Sequence, residues 1–592
     1  MWNHKGRAAM CGIVGIVSKN NISKNCYVAL EKLEYRGYDS AGIAGLKGNK
    51  IQIFKKQGRV QCIKEFCDNA NFKTAIAHTR WATHGKPCEE NAHPIVSSTG
   101  ECVIVHNGII ENYLEIKQNL EKCGVVFKTQ TDTEVVCNLI EKETGNTLEK
   151  VKKACDKLIG SFALAVLFKG KNEIVIARKS SPIYVGSCFG GNMVASDILC
   201  FEKNAKYCAL EDGEFAVVSR SKIQIYSSTL KKVKKSFKTI ETSGEEIELS
   251  GFEFFMEKEI NETPAVLKRI ITEYQDKEKI QSAIKLFEGV KNVEIIACGT
   301  AYHAGRYGAK ILQETLGLSA SAHIASEFRY DKNNIKENTL AILVSQSGET
   351  ADTLRAGELC KQNGYKVLAI INSMESSMSR LADVSLNIFA GKEIGVASTK
   401  AYSAMCLVFY ILARYLKNSN FDTFEIEKLA DQSKEVLKVD SKIVDLVKNA
   451  SRVFFIGRQF DSISSLEGAL KVKEISYKSA EGYPAGELKH GTLALINSGT
   501  PVFVLSTDKN MHDKTMAAAE EVRSRGGIII LISQNSFDKG CADFVINIPE
   551  SERELAPLLS IIPLQTIAFE TAKAIGNNPD KPRNLAKSVT VE

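Results

Sequence analysis

The sequence predicts an antiparallel α+β domain followed by two copies of an α/β doubly wound domain. Three observations carry this. Short apolar runs broken by Gly- and Asn-containing turns fill residues 11–236, a hairpin-rich pattern. In the second half, runs of Val, Ile and Leu alternate with helical patterns, as in a parallel sheet. That alternation also repeats. Its series begin at Val293 and Val453 and end at Val384 and Phe544, each pair 160 positions apart.

In the first domain, strands are predicted at 11–17, 42–46, 51–54, 74–77, 102–105, 162–168, 173–177 and 215–218. Lys47-Gly48-Asn49-Lys50 and Lys169-Gly170-Lys171-Asn172 read as turns. Helical periodicity covers about 22–34, 109–123 and 132–158. Residues 237–252 break the pattern with the polar Ser243-Gly244-Glu245-Glu246 and are the expected linker. The two repeats are expected at 281–420 and 446–582, with a tail at 583–592. Their strands are predicted at 293–297, 340–344, 367–371 and 384–389, then 453–457, 502–505, 528–532 and 544–548. In such sheets ligands sit beyond the carboxyl ends of the strands.

Composition narrows the function. A chain of 592 residues exceeds one ordinary domain. Net charge is +7 across 77 basic and 70 acidic residues, and no basic block is interleaved with aromatics, so nucleic acid is not an expected partner. The densest basic run, 231–235, reads as a solvated face. No segment reaches the ~20 apolar residues of a membrane span, and 401–413 reads as a buried helix. Residues 1–10 lack the apolar core of a secretion signal. The 16 cysteines form no disulfide or zinc framework and read as reduced thiols of a cytoplasmic protein.

In Met10-Cys11-Gly12-Ile13-Val14-Gly15, loss of Met10 would leave an α-amine on a thiol-bearing residue. Such an amine titrates near ~7.7–8 and can serve as base for its own thiol. Three motifs follow: Tyr35-Arg36-Gly37-Tyr38-Asp39-Ser40, His78-Thr79-Arg80-Trp81-Ala82-Thr83-His84-Gly85 and His106-Asn107-Gly108-Ile109. Thr131-Asp132-Thr133-Glu134 comes next. With the cysteine, in this order, they resemble the class II glutamine amidotransferase family of N-terminal-nucleophile hydrolases over residues 11–236. The resemblance implies Cys11 as nucleophile. Asn107 and the Gly108 N–H are implied as oxyanion donors. Glutamine would be held by Arg80 at its α-carboxylate and by Asp132 at its α-ammonium, in a pocket completed by Thr83 and His84. His78, His93 and His106 are expected to be structural. In that family the mature chain begins at the cysteine, so translation is expected to start at Met10, or residues 1–10 to be removed.

In the second half, Val344-Ser345-Gln346-Ser347-Gly348-Glu349-Thr350 follows a strand and opens a helix, a candidate anion site. It is not a P-loop, because the Gly-Lys-Ser ending is missing. With Ala297-Cys298-Gly299-Thr300 it resembles sugar isomerase (SIS) domains. That implies phosphate contacts from Ser345, Gln346, Ser347 and Thr350, and a sugar site lined by Thr300 and Val396. The second repeat has Leu505-Ser506-Thr507-Asp508 at the equivalent place, so one copy is expected to bind phosphate and the other to supply catalytic groups. Lys471 and Glu474 share a helix face, which by itself reads as a surface ion pair.

The ending Arg583-Asn584-Leu585-Ala586-Lys587-Ser588-Val589 resembles the catalytic tail of the glucosamine-6-phosphate synthase family. The resemblance implies ring opening by His490, a Schiff base on Lys587 beside Ala586, proton transfer by Glu474 and charge support from Lys471. It further implies L-glutamine and D-fructose 6-phosphate as substrates, ammonia channelled past Trp81, and a tail closing over the sugar with Arg583. A homodimer lending His490 across its interface is implied too, with no metal and no dissociable cofactor. Two other readings compete. Another glutamine amidotransferase would lack the repeats and the Lys587 tail. A sugar-phosphate-binding regulator would lose Glu474, His490 or Lys587.

Overall fold

In the computed structural model the described residues are 11–34, 37, 39–81, 85–240, 249–331, 337–418 and 424–589. The chain forms two compact units, residues 1–248 with 588–592, and residues 249–587.

The first unit layers two antiparallel sheets between helices. In the eight-stranded sheet, Gly12–Ser18 lies between Gly191–Ala195 and Thr74–Arg80. In the seven-stranded sheet, Cys102–Ile110 pairs with Gly160–Phe168. Alternation along each strand builds the layers. Ile13 and Val17 meet Val103 and Val105 between the sheets. Val14 and Ile16 face the helix Ser23–Glu31. On the far side, Ile104 and Leu164 face the helices Asp132–Lys142 and Thr147–Cys155. The hairpin at 47–50 is present, with Gly48 at φ +61 in the first central position, as a type II′ turn requires.

The strands at 184–188, 191–195, 206–209 and 223–226 are additions to the predicted set. The single helical pattern at 132–158 is two helices, because Asn146 and Glu149 form a capping box that starts a new one. The expected linker begins with a short edge strand, Lys238–Thr239, and its residues 241–248 lie outside the described set. The basic run is not wholly solvated. Lys235 pairs with Glu214 at 2.6 Å and with Glu211 at 3.2 Å.

The second unit holds two parallel five-stranded sheets with the same 2-1-3-4-5 order. The second strand of each, Ser319–Ile324 and Ser479–Pro484, is absent from the predicted series. Both are edge strands, partly exposed and poor in Val, Ile and Leu, so they lack the apolar run that marks a central parallel strand. They too lie 160 positions apart. The repeats are not separate globules. Gly299–Leu316, Lys400–Lys417, Phe460–Ser476 and Ala556–Ala574 contribute to one continuous core. The apolar run at 401–413 is buried there. Among the described residues, no helix is long and apolar enough to cross a membrane.

Candidate active site

In the first unit, Cys11 precedes the central strand and the 102–110 strand brings Asn107 to it. The Asn107 amide Nδ2 donates to the Cys11 carbonyl at 2.9 Å. The Trp81 N–H donates to the Cys11 Sγ at 3.3 Å. Burial pushes the Cys11 thiol up to about 11, against the opposing pull of that N–H and of Arg80. A base is therefore needed to make the thiolate near neutral pH.

His78, expected to be structural, holds Asn107 in place. Its Nε2 lies 3.1 Å from the Asn107 Oδ1 and 3.0 Å from the His106 carbonyl. Both are acceptors, so Nε2 carries the proton. Burial pushes His78 down to about 3 and keeps it neutral. The sequence signal was only a strand histidine at the start of a motif, where a packed core residue is the ordinary reading.

Gly108 sits at φ +133, and a Cβ there would lie 2.0 Å from the Ser161 carbonyl oxygen. Only glycine fits. Arg80 is buried at the end of Thr74–Arg80. Asp132 opens the helix Asp132–Lys142, and its Oδ2 accepts the Ile110 N–H at 2.9 Å. Thr83 and His84 lie outside the described residues.

In the second unit, helix Phe460–Ser476 carries the expected pair in a different setting from the one predicted. Lys471 and Glu474 are 2.6 Å apart, and the Lys471 side chain is 0% exposed, so this is no surface pair. Lys471 also donates to the Thr300 Oγ1 at 3.0 Å and lies 3.4 Å from Glu467. Glu467 accepts from Thr300 at 2.9 Å and sits 2.7 Å from the His303 Nδ1. Burial pushes Glu474 up, with Lys471 opposing. Glu467 was not among the expected site residues. Its signal was present: Glu467, Lys471 and Glu474 recur at helical spacing on one face.

Strand Thr339–Ser345 runs into the candidate anion loop. The Ser345 Oγ accepts the Gly348 N–H at 3.1 Å and lies 2.9 Å from the Thr350 Oγ1. The Ser347 Oγ accepts the Glu349 N–H at 3.2 Å, and Gln346 is half-buried. Helix Ala351–Gln362 follows directly, aiming its N-terminus at the loop.

The second repeat differs at the equivalent place. In strand register, Thr507 matches Gln346 and Asp461 matches Ala301. The Thr507 N–H and Oγ1 donate to the Asp461 carboxylate at 2.8 and 2.6 Å. An internal carboxylate thus takes the donors that an anion would use.

The tail closes the arrangement. Arg583 stacks on the Tyr477 ring at 4.3 Å, and its N–H donates to the Tyr477 hydroxyl at 2.7 Å. Tyr477 caps the helix that bears Lys471 and Glu474. Lys587, after the half-buried Ala586, pairs with the buried Glu393 of the loop that contains Val396. The Val396 N–H donates to the Asp580 carbonyl at 3.0 Å. His490 is exposed and makes no hydrogen bond to this cluster among the described residues. No group of His, Cys, Asp or Glu among the described residues is arranged to hold a metal ion.

Comparison with known proteins covers both units. The SIS domain family matches residues 286–415 and 446–574, and the glutamine amidotransferase domain family matches 78–203. A glutamine–fructose-6-phosphate aminotransferase (isomerizing) from Caldanaerobacter subterraneus is 41% identical, covering 98% of this chain and 100% of that protein. One from Thermococcus kodakarensis is 40% identical with the same coverage. Among solved structures, the C-terminal domain of glucosamine-fructose-6-phosphate aminotransferase from Francisella tularensis aligns with a TM-score of 0.54 at 34% identity. It covers 57% of this chain and 100% of that one. A phosphosugar isomerase structure from Silicibacter pomeroyi, 21% identical with a TM-score of 0.51, shares the fold.

Proposed function

The chain belongs to the glutamine–fructose-6-phosphate aminotransferase (isomerizing) family, and on that premise we propose how its own residues convert fructose 6-phosphate and glutamine to glucosamine 6-phosphate and glutamate. The observation that carries the reading is the buried lysine of the tail. Lys587 is drawn in beside the loop that holds Val396, in the unit that also holds the buried Lys471 and its half-buried partner Glu474.

At the first site, the freed α-amine of Cys11 takes the thiol proton and the thiolate attacks the glutamine amide carbon. Asn107 and the Gly108 N–H stabilise the oxyanion. Arg80 and Asp132 hold the two charged ends of glutamine, with Trp81, Thr83 and His84 around them. Ammonia leaves, and water releases glutamate from the thioester.

At the second site, Ser345, Gln346, Ser347 and Thr350 hold the phosphate, with Thr300, Val396 and Ala586 along the sugar. His490 opens the ring. The Lys587 amine condenses with C2, and ammonia then replaces it there. Glu474 takes a proton from C1 and returns it to C2, while Lys471 balances the charge of the enolamine. The exposure of His490 in one copy supports a homodimer in which a second copy supplies it. All 16 cysteines are free, which supports a reducing compartment, the cytoplasm.

The test is a paired assay. Purified protein beginning at Cys11 forms glucosamine 6-phosphate and glutamate in equal amounts. Cys11→Ala forms the amino sugar only when ammonium is supplied. Glutamate without amino sugar, or amino sugar from neither nitrogen source, refutes the reading.

A further inference from the structure

We propose that Glu393 is the fixed counter-ion of the Lys587 nitrogen throughout the reaction, and that Glu259 positions the loop that presents it. This rests on the Schiff-base reading above and assigns a role to two residues which that reading leaves unused.

The geometry is specific. The Lys587 ammonium donates to the Glu393 Oε2, and the two side chains are 5% and 0% exposed. Glu393 is otherwise saturated. Its Oε1 accepts the Thr399 N–H at 2.9 Å and the Ala401 N–H at 3.1 Å, and its Oε2 accepts the Ser398 hydroxyl at 2.8 Å. These donors lie at the N-terminus of the 18-residue helix Lys400–Lys417, where a negative charge is favoured. Burial pushes Glu393 up, but the Lys587 charge and these donors prevail and hold it below the ordinary range.

Glu259 comes from helix Phe255–Gln275. Its Oε1 accepts the N–H groups of Ile394 and Gly395, the two residues after Glu393. Its Oε2 is buried with no partner among the described residues. Burial, then the neighbouring Glu393 charge, pushes Glu259 up. An uncharged Glu259 beside an ionised Glu393 avoids placing two like charges together. The other charges facing the pair are Lys400, bound to Glu262 at 2.6 Å, and Lys471 and Glu474 of helix Phe460–Ser476.

The chemistry needs such an anion. The ammonium and the ketose carbonyl become an iminium and one water. Nζ gives up one proton to attack C2, and the carbonyl π pair moves to oxygen. Two of the nitrogen's three protons leave with that oxygen as water. The nitrogen keeps one proton and the positive charge at both ends of the step. An iminium, not a neutral imine, draws electrons away from C1 and C2. A carboxylate already in place stabilises that charge with no reorganisation.

The variant is Glu393→Gln, nearly isosteric and uncharged, with Glu393→Asp as the conservative partner and thermal melting as the check on folding. Two readouts apply: ammonium-dependent amination across pH, and borohydride trapping of fructose 6-phosphate on Lys587. In Glu393→Gln, kcat is expected to fall about 100-fold or more, with KM changed by less than about threefold. The imine loses its proton more readily, so the alkaline limb of kcat moves down by about one pH unit or more. Glu393→Asp recovers at least about tenfold of the loss. A Glu393→Gln protein with wild-type kcat overturns the proposal. So does one that loses activity with its alkaline limb unmoved, because that is only structural damage. Wild-type protein that gives no borohydride adduct on Lys587 overturns the Schiff-base reading and this proposal together. An adduct in the wild type with an unchanged variant overturns this proposal alone.

Discussion

Replacing Gly108 by alanine tests the oxyanion site at one atom. A Cβ at residue 108 would meet the Ser161 carbonyl oxygen at 2.0 Å, the Ser161 carbon at 2.7 Å and the Phe162 Cα at 2.8 Å, where ordinary contact begins at 3.4 Å. All three are backbone atoms of the partner strand, whose Ser161 and Phe162 pair in register with Ile109 and Gly108, so no side chain can swing aside. The residue-108 backbone must therefore retreat by more than about 1 Å, and an alanine at φ +133 adds about 1–3 kcal/mol of strain. An oxyanion donor works only within ~2.7–3.1 Å, and losing one costs about 10²–10³ in kcat, ~2.7–4 kcal/mol. The assay is glutamate release at saturating glutamine, with ammonium-dependent amination as a control on the second unit. We expect kcat for glutamate release to fall by at least about 100-fold while KM changes little. A Gly108→Ala protein that keeps half of the wild-type kcat would show that the residue-108 N–H is not used.

Three further outcomes follow from particular contacts. Burial raises Asp461 to about 6 from an ordinary 3.8, so its folded form holds a proton that the unfolded chain has released. That stability is present below pH ~4 and is lost as pH rises to 6, about 3 kcal/mol at ~1.4 kcal/mol per pH unit. Asp461→Asn removes this dependence, and identical urea-unfolding slopes between pH 4 and 6.5 in both proteins contradict it. Ser345→Ala removes the acceptor of the Gly348 N–H and should raise KM for fructose 6-phosphate by about 10–100-fold, the cost of a hydrogen bond to a charged group. An unchanged KM would take Ser345 out of the phosphate loop. With residues 1–10 attached, the Cys11 thiol at about 11 should alkylate at least tenfold more slowly near neutral pH than in a chain beginning at Cys11, read by peptide mass. Equal rates would remove the amine from the mechanism.

The sequence by itself determined the fold class and singled out the positions proposed to carry the chemistry. Strand alternation sends Ile13 and Val17 to one face and Val14 and Ile16 to the other, a period-2 fact needing no coordinates. The repeat of 160 positions between the first and last strands of the two series points to two copies of one fold, because the same alternation recurs over the same length of chain. Cys11 and the Ser345 loop stand out through residue type and order, and Asn107 and Lys587 through the family resemblance of the motifs that contain them. The edge strands Ser319–Ile324 and Ser479–Pro484 do not, because partial exposure removes the pressure for apolar residues.

Only the tertiary structure decided which polar side chains share a charge. Lys471 and Glu474 read locally as a solvated pair, and it takes the helices around them to bury Lys471. His78 looks like any strand histidine until the 102–110 strand brings Asn107 against it. Asp461 becomes a stand-in for an anion only because Thr507 folds back onto it. Glu393 and Lys587 are 194 positions apart. Pairings at such separations depend on how helices and loops stack, and burial then sets their protonation. Local sequence carries neither, because the strength of a charge interaction depends on the dielectric of its final surroundings.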